Sequence, residues 1–220
     1  METYPFLLLP FVEIEVRLGT QSKKQNGNTF FDTSIDKKYF QEIVSVLETG
    51  IWDSVENTKT MEYYSGNTSG STGSTGNTGN TKLRLIESPG DKNKIIMKEN
   101  VITNTIVLKN SPFDIRYSIN QEFLLNSYSD KFSKEDCTTR NKTRKSFIST
   151  NFKYDLTYVI ETVNNIEKEK YEIELELLQN KNTLTWNTKY INDFLECKIY
   201  DLVNIVEKID RELFIINLIK

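Results

Sequence analysis

Along most of this chain, apolar and polar residues alternate with a period of two, the mark of strands that bury one face. The alternation predicts strands over Phe11–Leu18, Trp52–Tyr64, Lys82–Glu87, Lys94–Lys98, Val101–Lys109, Phe113–Leu124, Thr143–Thr150, Phe152–Val163 and Tyr171–Leu178. Two segments change to helical spacing. In the first, Ile35, Tyr39, Ile43, Val46 and Leu47 form an apolar stripe that Ser34 can cap and Gly50 can close. In the second, Tyr190, Ile191, Phe194, Leu195, Leu202, Val206 and Ile209 do the same. So many strands with two helices predict a mainly β (α+β) domain, built as a closed or nearly closed antiparallel sheet of about eight strands. Residues 65–80, all Ser, Gly, Asn or Thr, offer nothing to bury and read as a flexible insert in a single domain spanning 1–220.

Composition narrows the chemistry. The 220 residues include no histidine, which removes Ser-His-Asp and Cys-His machinery and nearly all zinc hydrolase sites. Cysteine phosphatase chemistry needs an arginine six positions after the cysteine, but Cys137 meets Thr143 there and Cys197 meets Val203. The two cysteines form neither a disulfide framework nor a zinc pattern, which suits a reducing compartment. A net charge of −3 gives no overall positive field for a long nucleic acid, so an RNA substrate need be gripped only by its end. The apolar start, Tyr4 to Pro10, lacks a basic flank, is too short to span a membrane, and is expected to pack on the body.

The polar faces of the strands carry the signal. Glu13, Glu15 and Arg17 share one face of the first strand, and Glu172, Glu174 and Glu176 share one face of the last. Such crowded acids repel unless a cation neutralises them. The other strands carry the opposite sign in the same alternation: Lys82 and Arg84; Lys94 and Lys98; Lys142 and Arg144; and Arg116 with Ser118, Asn120 and Glu122. Lys153, Asp155 and Thr157 form one more polar face. A barrel with these faces inside has an acidic floor and basic walls, with its aliphatic faces turned outward. Oxygen ligands suit Mg²⁺ or Mn²⁺, and Lys and Arg suit phosphate, so the lumen suits a metal-bound polyphosphate.

In this order, Glu13-Ile-Glu15-Val-Arg17-Leu-Gly19, Lys82-Leu-Arg84, Asp114-Ile-Arg116-Tyr-Ser118 through Glu122, Lys142-Thr-Arg144-Lys-Ser146, Lys153-Tyr-Asp155-Leu-Thr157 and Glu172-Ile-Glu174-Leu-Glu176 resemble the triphosphate tunnel metalloenzymes. The resemblance is to their fungal and viral RNA triphosphatase branch, and most of all to N-terminal domains of mimivirus-type mRNA capping enzymes. It covers the chain apart from the insert. It implies an eight-stranded tunnel with a hydrophilic lumen and flanking helices. It also implies hydrolysis of the γ-phosphate of triphosphate-ended RNA as the first step of mRNA capping, with nucleoside triphosphates as further substrates when manganese is present. By this resemblance Glu13, Glu15 and Glu176 bind Mg²⁺ or Mn²⁺, with Glu172 and Glu174 on metal-bound waters or behind them. Arg84, Lys142 and Arg144 clamp the γ-phosphate, Lys98, Arg116 and Lys153 add phosphate contacts, and Glu122 orients or deprotonates water. Arg17, Asp155 and Thr157 support the others. One departure is Lys153, where the fungal pattern has arginine, so a point charge replaces a bidentate fork.

The same resemblance implies a guanylyltransferase partner in cis or in trans, no membrane, and an intracellular setting such as a viral factory in the host cytoplasm, or the virion. No nucleotidyl-lysine motif is evident, so the chain is expected to be one domain of a larger capping enzyme. The rival expectations are a tunnel enzyme for free nucleotides or inorganic triphosphate, and a barrel that serves only as a scaffold.

Overall fold

The computed structural model describes residues 11–23, 27–65, 82–109, 111–125, 132–134 and 137–219, with the backbone alone of 82 and 209–219. The expected insert at 65–80 and the apolar start therefore lie, but for Ser65, outside the described residues. In chain order the elements are β1 (Val12–Lys23), β2 (Thr29–Asp32), α1 (Lys37–Glu48), β3 (Ser54–Tyr64), β4 (Lys82–Glu87), β5 (Lys94–Ile106), β6 (Asp114–Leu124), β7 (Thr138–Ser149), β8 (Phe152–Val163), β9 (Ile166–Leu177) and α2 (Thr188–Ile219).

Eight of these strands close on themselves in the order β1-β6-β5-β4-β3-β7-β8-β9, every pair antiparallel, with β9 returning to β1. The closing seam is short: Glu15 faces Glu176, Val16 faces Leu175 and Arg17 faces Glu174. Strand β2 lies outside the ring, paired with the far end of β1. Closure leaves no unpaired strand edge in the ring and encloses the polar faces that alternation sets opposite the aliphatic ones.

The aliphatic faces point outward, as expected. Val12, Ile14, Val16 and Leu18 of β1 join Ile115, Leu156, Ile173 and Leu175 in a core outside the barrel, covered by Tyr39 and Ile43 of α1 and by Ile191, Leu195, Ile199 and Leu202 of α2. The helices thus shield one side of the wall while the lumen keeps the charges.

Some boundaries differ from expectation. Helix α1 is capped by the Asp36 carboxylate, which accepts from the Lys38 N–H at 2.8 Å, while the Ser34 hydroxyl instead accepts from Tyr171 N–H. Its end is closed by Thr49, and Gly50 is required because a Cβ there would fall 2.9 Å from the Trp52 indole nitrogen, which donates to Leu47 O. The two strands expected around residue 100 are one, β5, whose register with β6 shifts between Asn100 and Ile102. Strand β7 starts five residues earlier than its alternation suggested, and β9 likewise. Among the described residues no helix is long and apolar enough to cross a membrane.

Candidate functional site

The lumen encloses about 650 Å³ and, among the described residues, is lined by eight Arg or Lys side chains and six glutamates. Cations outnumber carboxylates on this described lining although the whole chain is net negative. Of the residues expected at the site, Glu13, Glu15, Arg17, Arg84, Lys98, Arg116, Glu122, Lys142, Arg144, Lys153, Glu174 and Glu176 all line this one cavity. Each faces inward because it occupies the polar phase of an alternating strand. Lys94 shares that phase with Lys98 but is exposed and lies outside the cavity, so Lys98 is the lysine of β5 that enters the tunnel.

At one end, Lys98 gathers three acids. Its ammonium bonds Glu13 and lies 3.2 Å from Glu122 and 3.6 Å from Glu15. Shared three ways, it cannot neutralise them all. Glu13 is pushed up to about 7, by burial first and then by the charge of Glu15, against the pull of Lys98. Glu176 is raised as well, because burial outweighs Lys153 at 2.9 Å. Burial acts on Glu15 in the same sense, but Arg17 at 2.9 Å and Lys98 outweigh it and hold its carboxyl below the usual range. Adjacent acids on one seam are therefore held in different states by different partners.

Further in, Arg84 reaches Glu122 at 3.3 Å, and Lys142 lies 2.7 Å from Glu62. Arg144 is fixed from behind: Asp155 accepts from it at 3.0 Å and Thr157 at 3.1 Å, and both are fully buried. Ser146 donates to the other oxygen of Asp155 at 2.5 Å. Asp155 and Thr157 thus hold the guanidinium in place. Lys153 bridges Asp155 at 3.1 Å and Glu176 at 2.9 Å through its single ammonium.

The remaining acids are engaged elsewhere. Glu174 faces Arg17 at 3.0 Å and Arg144 at 3.7 Å, and although burial acts to raise its carboxyl, those cations keep it well below the usual range. Glu172 is absent from the lining and accepts from Arg140 at 2.6 Å and from the Thr33 hydroxyl at 2.8 Å.

The charged and aromatic lining residues missed in the sequence are Glu62 and Tyr64 of β3, and Arg140 of β7. Tyr64 donates to Glu62, which also lies 3.8 Å from Arg84, so one buried carboxylate stands between two cations of the wall. Arg140 sits two residues before Lys142 and was legible by alternation had the strand been started earlier. Glu62 is separated from Glu56 on its face of β3 by Thr58 and Thr60, and so made no run of like charge.

The donor set for a hard cation is all oxygen, with Glu15 and Glu176 in register across the seam and Glu13 on the same face of β1. Among the described residues no three acids form a ready-made cage, because Lys98 and Lys153 stand among them. The fit to a divalent cation rests on geometry, with the carboxylates of Glu13, Glu15 and Glu176 gathered on one stretch of the lining as hard oxygen donors.

Residues 11–213 match the family model described as mRNA capping enzyme, beta chain. Among solved structures, the RNA triphosphatase Pct1 of S. pombe is similar at 20% identity with a TM-score of 0.65, over 95% of this chain and 88% of that one. A second structure, of Pct1 in complex with the Spt5 CTD, is similar with a TM-score of 0.62, at 20% identity over 95% of this chain and 89% of that one. The capping enzyme triphosphatase of Mimivirus is 18% identical with a TM-score of 0.56, over 90% of this chain and 91% of that one. A direct comparison with curated protein sequences returned no match. The shared architecture is the triphosphate tunnel.

Proposed function

This chain belongs to the RNA triphosphatase family of the mRNA capping enzyme β chain, and from that membership we propose that it is a metal-dependent RNA 5′-triphosphatase, converting triphosphate-ended to diphosphate-ended RNA. The observation that carries the reading is the lumen, whose described lining sets eight cations against six glutamates in a chain of net charge −3. Such a cavity draws in a polyanion and excludes apolar or cationic ligands.

Phosphoryl transfer asks mainly for positioning and charge stabilisation. Arg84, Lys142 and Arg144 line the lumen from β4 and β7 and would hold the γ-phosphate oxygens. Arg144 is the most firmly preset, since Asp155 and Thr157 fix two of its nitrogens. Glu122 is placed to receive a proton from water as the water oxygen bonds the γ-phosphorus. The bond to the β–γ bridging oxygen breaks, and the diphosphate end of the RNA leaves with the electron pair. Glu13, Glu15 and Glu176 would hold Mg²⁺ or Mn²⁺, which when bound supplies further neutralisation of phosphate charge. Glu172 and Glu174, tied to arginines, act by holding Arg140, Arg17 and Arg144. The product suits a guanylyltransferase, in cis or in trans, as the next enzyme, in an intracellular setting.

The test is phosphate release by this chain alone from triphosphate-ended RNA, and from ATP at matched concentration, with and without manganese. Metal-dependent release with a diphosphate RNA product is expected, and Arg144→Ala should lower kcat on the order of 10²–10³-fold. No release from any triphosphate would leave the scaffold reading standing. Release from ATP alone would favour the free-nucleotide reading.

A further inference from the structure

Lys98 and a divalent cation have a claim on the same oxygens. The Lys98 ammonium bonds Oε2 of Glu13 and lies 3.6 Å from Oε2 of Glu15, and both carboxylates are proposed to hold the metal. The contact is made across a strand, since Lys98 is on β5, the two acids are on β1, and β6 runs between them. Both oxygens of Glu15 are engaged. Its Oε1 accepts from Asn120 at 3.2 Å and its Oε2 from Arg17 at 2.9 Å, with Lys98 as a third partner. Arg17 is tied as well to Glu174 at 3.0 Å, and Asn120 accepts from Asn100 at 2.9 Å. Lys98 carries a compact charge on a long flexible stem, so it is the partner that a divalent cation can displace.

Where the displaced ammonium goes matters to the chemistry. Lys153, the lysine at Glu176, keeps the fully buried Asp155 at 3.1 Å when Glu176 turns to a metal. The carboxylate left to Lys98, among the described residues, is Glu122 at 3.2 Å, the acid proposed to take the proton of water. An ammonium held there favours the charged carboxylate and so weakens it as a base. Metal alone therefore leaves the site unready, and a further anion must draw Lys98 away. Phosphate oxygens in the lumen are such anions. We propose, resting on the triphosphatase reading and its metal, that Lys98 interlocks the site. It competes with the divalent cation for Glu13 and Glu15, and metal and polyphosphate are needed together to free those acids and Glu122. The interlock makes metal and phosphate bind cooperatively, each raising the affinity of the other.

The test reads binding rather than turnover. Mn²⁺ affinity is measured by electron paramagnetic resonance for wild type and Lys98→Met, with and without inorganic phosphate. Removing the competing charge should tighten Mn²⁺ binding about tenfold or more. Saturating phosphate should tighten it about tenfold in wild type, within the usual range of coupling between two sites, and clearly less in Lys98→Met. The second measurement uses wild type labelled with ¹⁵N-lysine, the Lys98 ammonium signal being assigned by its loss in Lys98→Arg. Without metal its protons, sheltered by three carboxylates, should exchange slowly with water, and saturating Mg²⁺ should speed that exchange. Equal Mn²⁺ affinity in wild type and Lys98→Met, or ammonium exchange that saturating Mg²⁺ leaves unchanged, would overturn the interlock. Should Lys98→Met fail to fold, the exchange measurement on wild type still decides. Phosphate release from triphosphate-ended RNA tests the triphosphatase reading separately, and that reading stands if the interlock alone fails.

Discussion

Single carboxylates in this tunnel behave differently because their immediate partners differ, and Glu13 gives the sharpest consequence. Folding raises its pKa from 4.5 to about 7, with burial the main cause and Glu15 next. The folded state therefore holds the proton more tightly than the unfolded chain does. Stability from this group is full below about 4.5, falls as pH rises, and is gone above about 7. The full difference corresponds to about 3 kcal/mol at most. Glu13→Gln removes the group that must ionise, so with divalent ions chelated it should melt higher than wild type at pH 8. The advantage should shrink toward pH 5, by melting curves across that range. A constant difference at all pH values would show that Glu13 is not held near neutrality. Glu15→Gln should show the opposite sign at pH 8, since Arg17 and Lys98 favour the ionised form of Glu15.

Strands rather than residues explain why the cations of the wall stand where they do. Strands β3 and β7 pair along their whole length, from Ser54 opposite Ile148 to Tyr64 opposite Thr138, which brings Glu62 beside Lys142 with both side chains 6% exposed. Removing one partner of such a pair leaves a buried charge alone, so Glu62→Ala should cost about 3–5 kcal/mol. The double variant Glu62→Leu with Lys142→Met should regain much of that stability but not the activity, because a cation proposed to hold phosphate is gone. Equal stability of Glu62→Ala and wild type in urea would remove the positioning role of β3. This pair was not legible in the sequence, whereas the acids of β1 and β9 were. The difference is physical. Alternation tells which side of its own strand a residue takes, and three glutamates at spacing two make that side evident. It does not tell which strands adjoin across a closed barrel, since that depends on stagger and tilt. The bulge between Asn100 and Ile102 hides β5 for a related reason, as one extra residue breaks the period and makes one strand look like two. Strand β2, four residues long, is too short to show a period at all.

At the scale of the whole molecule, the barrel is closed by three register pairs between β1 and β9, far fewer than hold β7 to β8 or β8 to β9. That seam is also where the acids meet: Glu15 faces Glu176, and Arg17 bridges to Glu174 at 3.0 Å. A cation held by Glu13 and Glu15 from one side and Glu176 from the other would tie the short closing seam of the sheet, so metal binding and barrel closure should be coupled. Anything that binds only the folded state stabilises it by mass action, about 2.7 kcal/mol at a hundred times the dissociation constant. For a chain of this size that is a rise of roughly 5–10 °C in Tm. Wild type should show such a rise with manganese, and its amide exchange should slow at Glu15 to Arg17 and Glu174 to Glu176 more than elsewhere in the sheet. Glu15→Gln keeps the shape of the side chain but weakens its hold on a hard cation, so both effects should largely vanish. The exchange measurement separates this from nonspecific binding of manganese to surface acids, which would leave the seam no better protected than β3 or β8. Equal manganese shifts in wild type and Glu15→Gln would remove the metal from the seam, whatever phosphate release the chain displays.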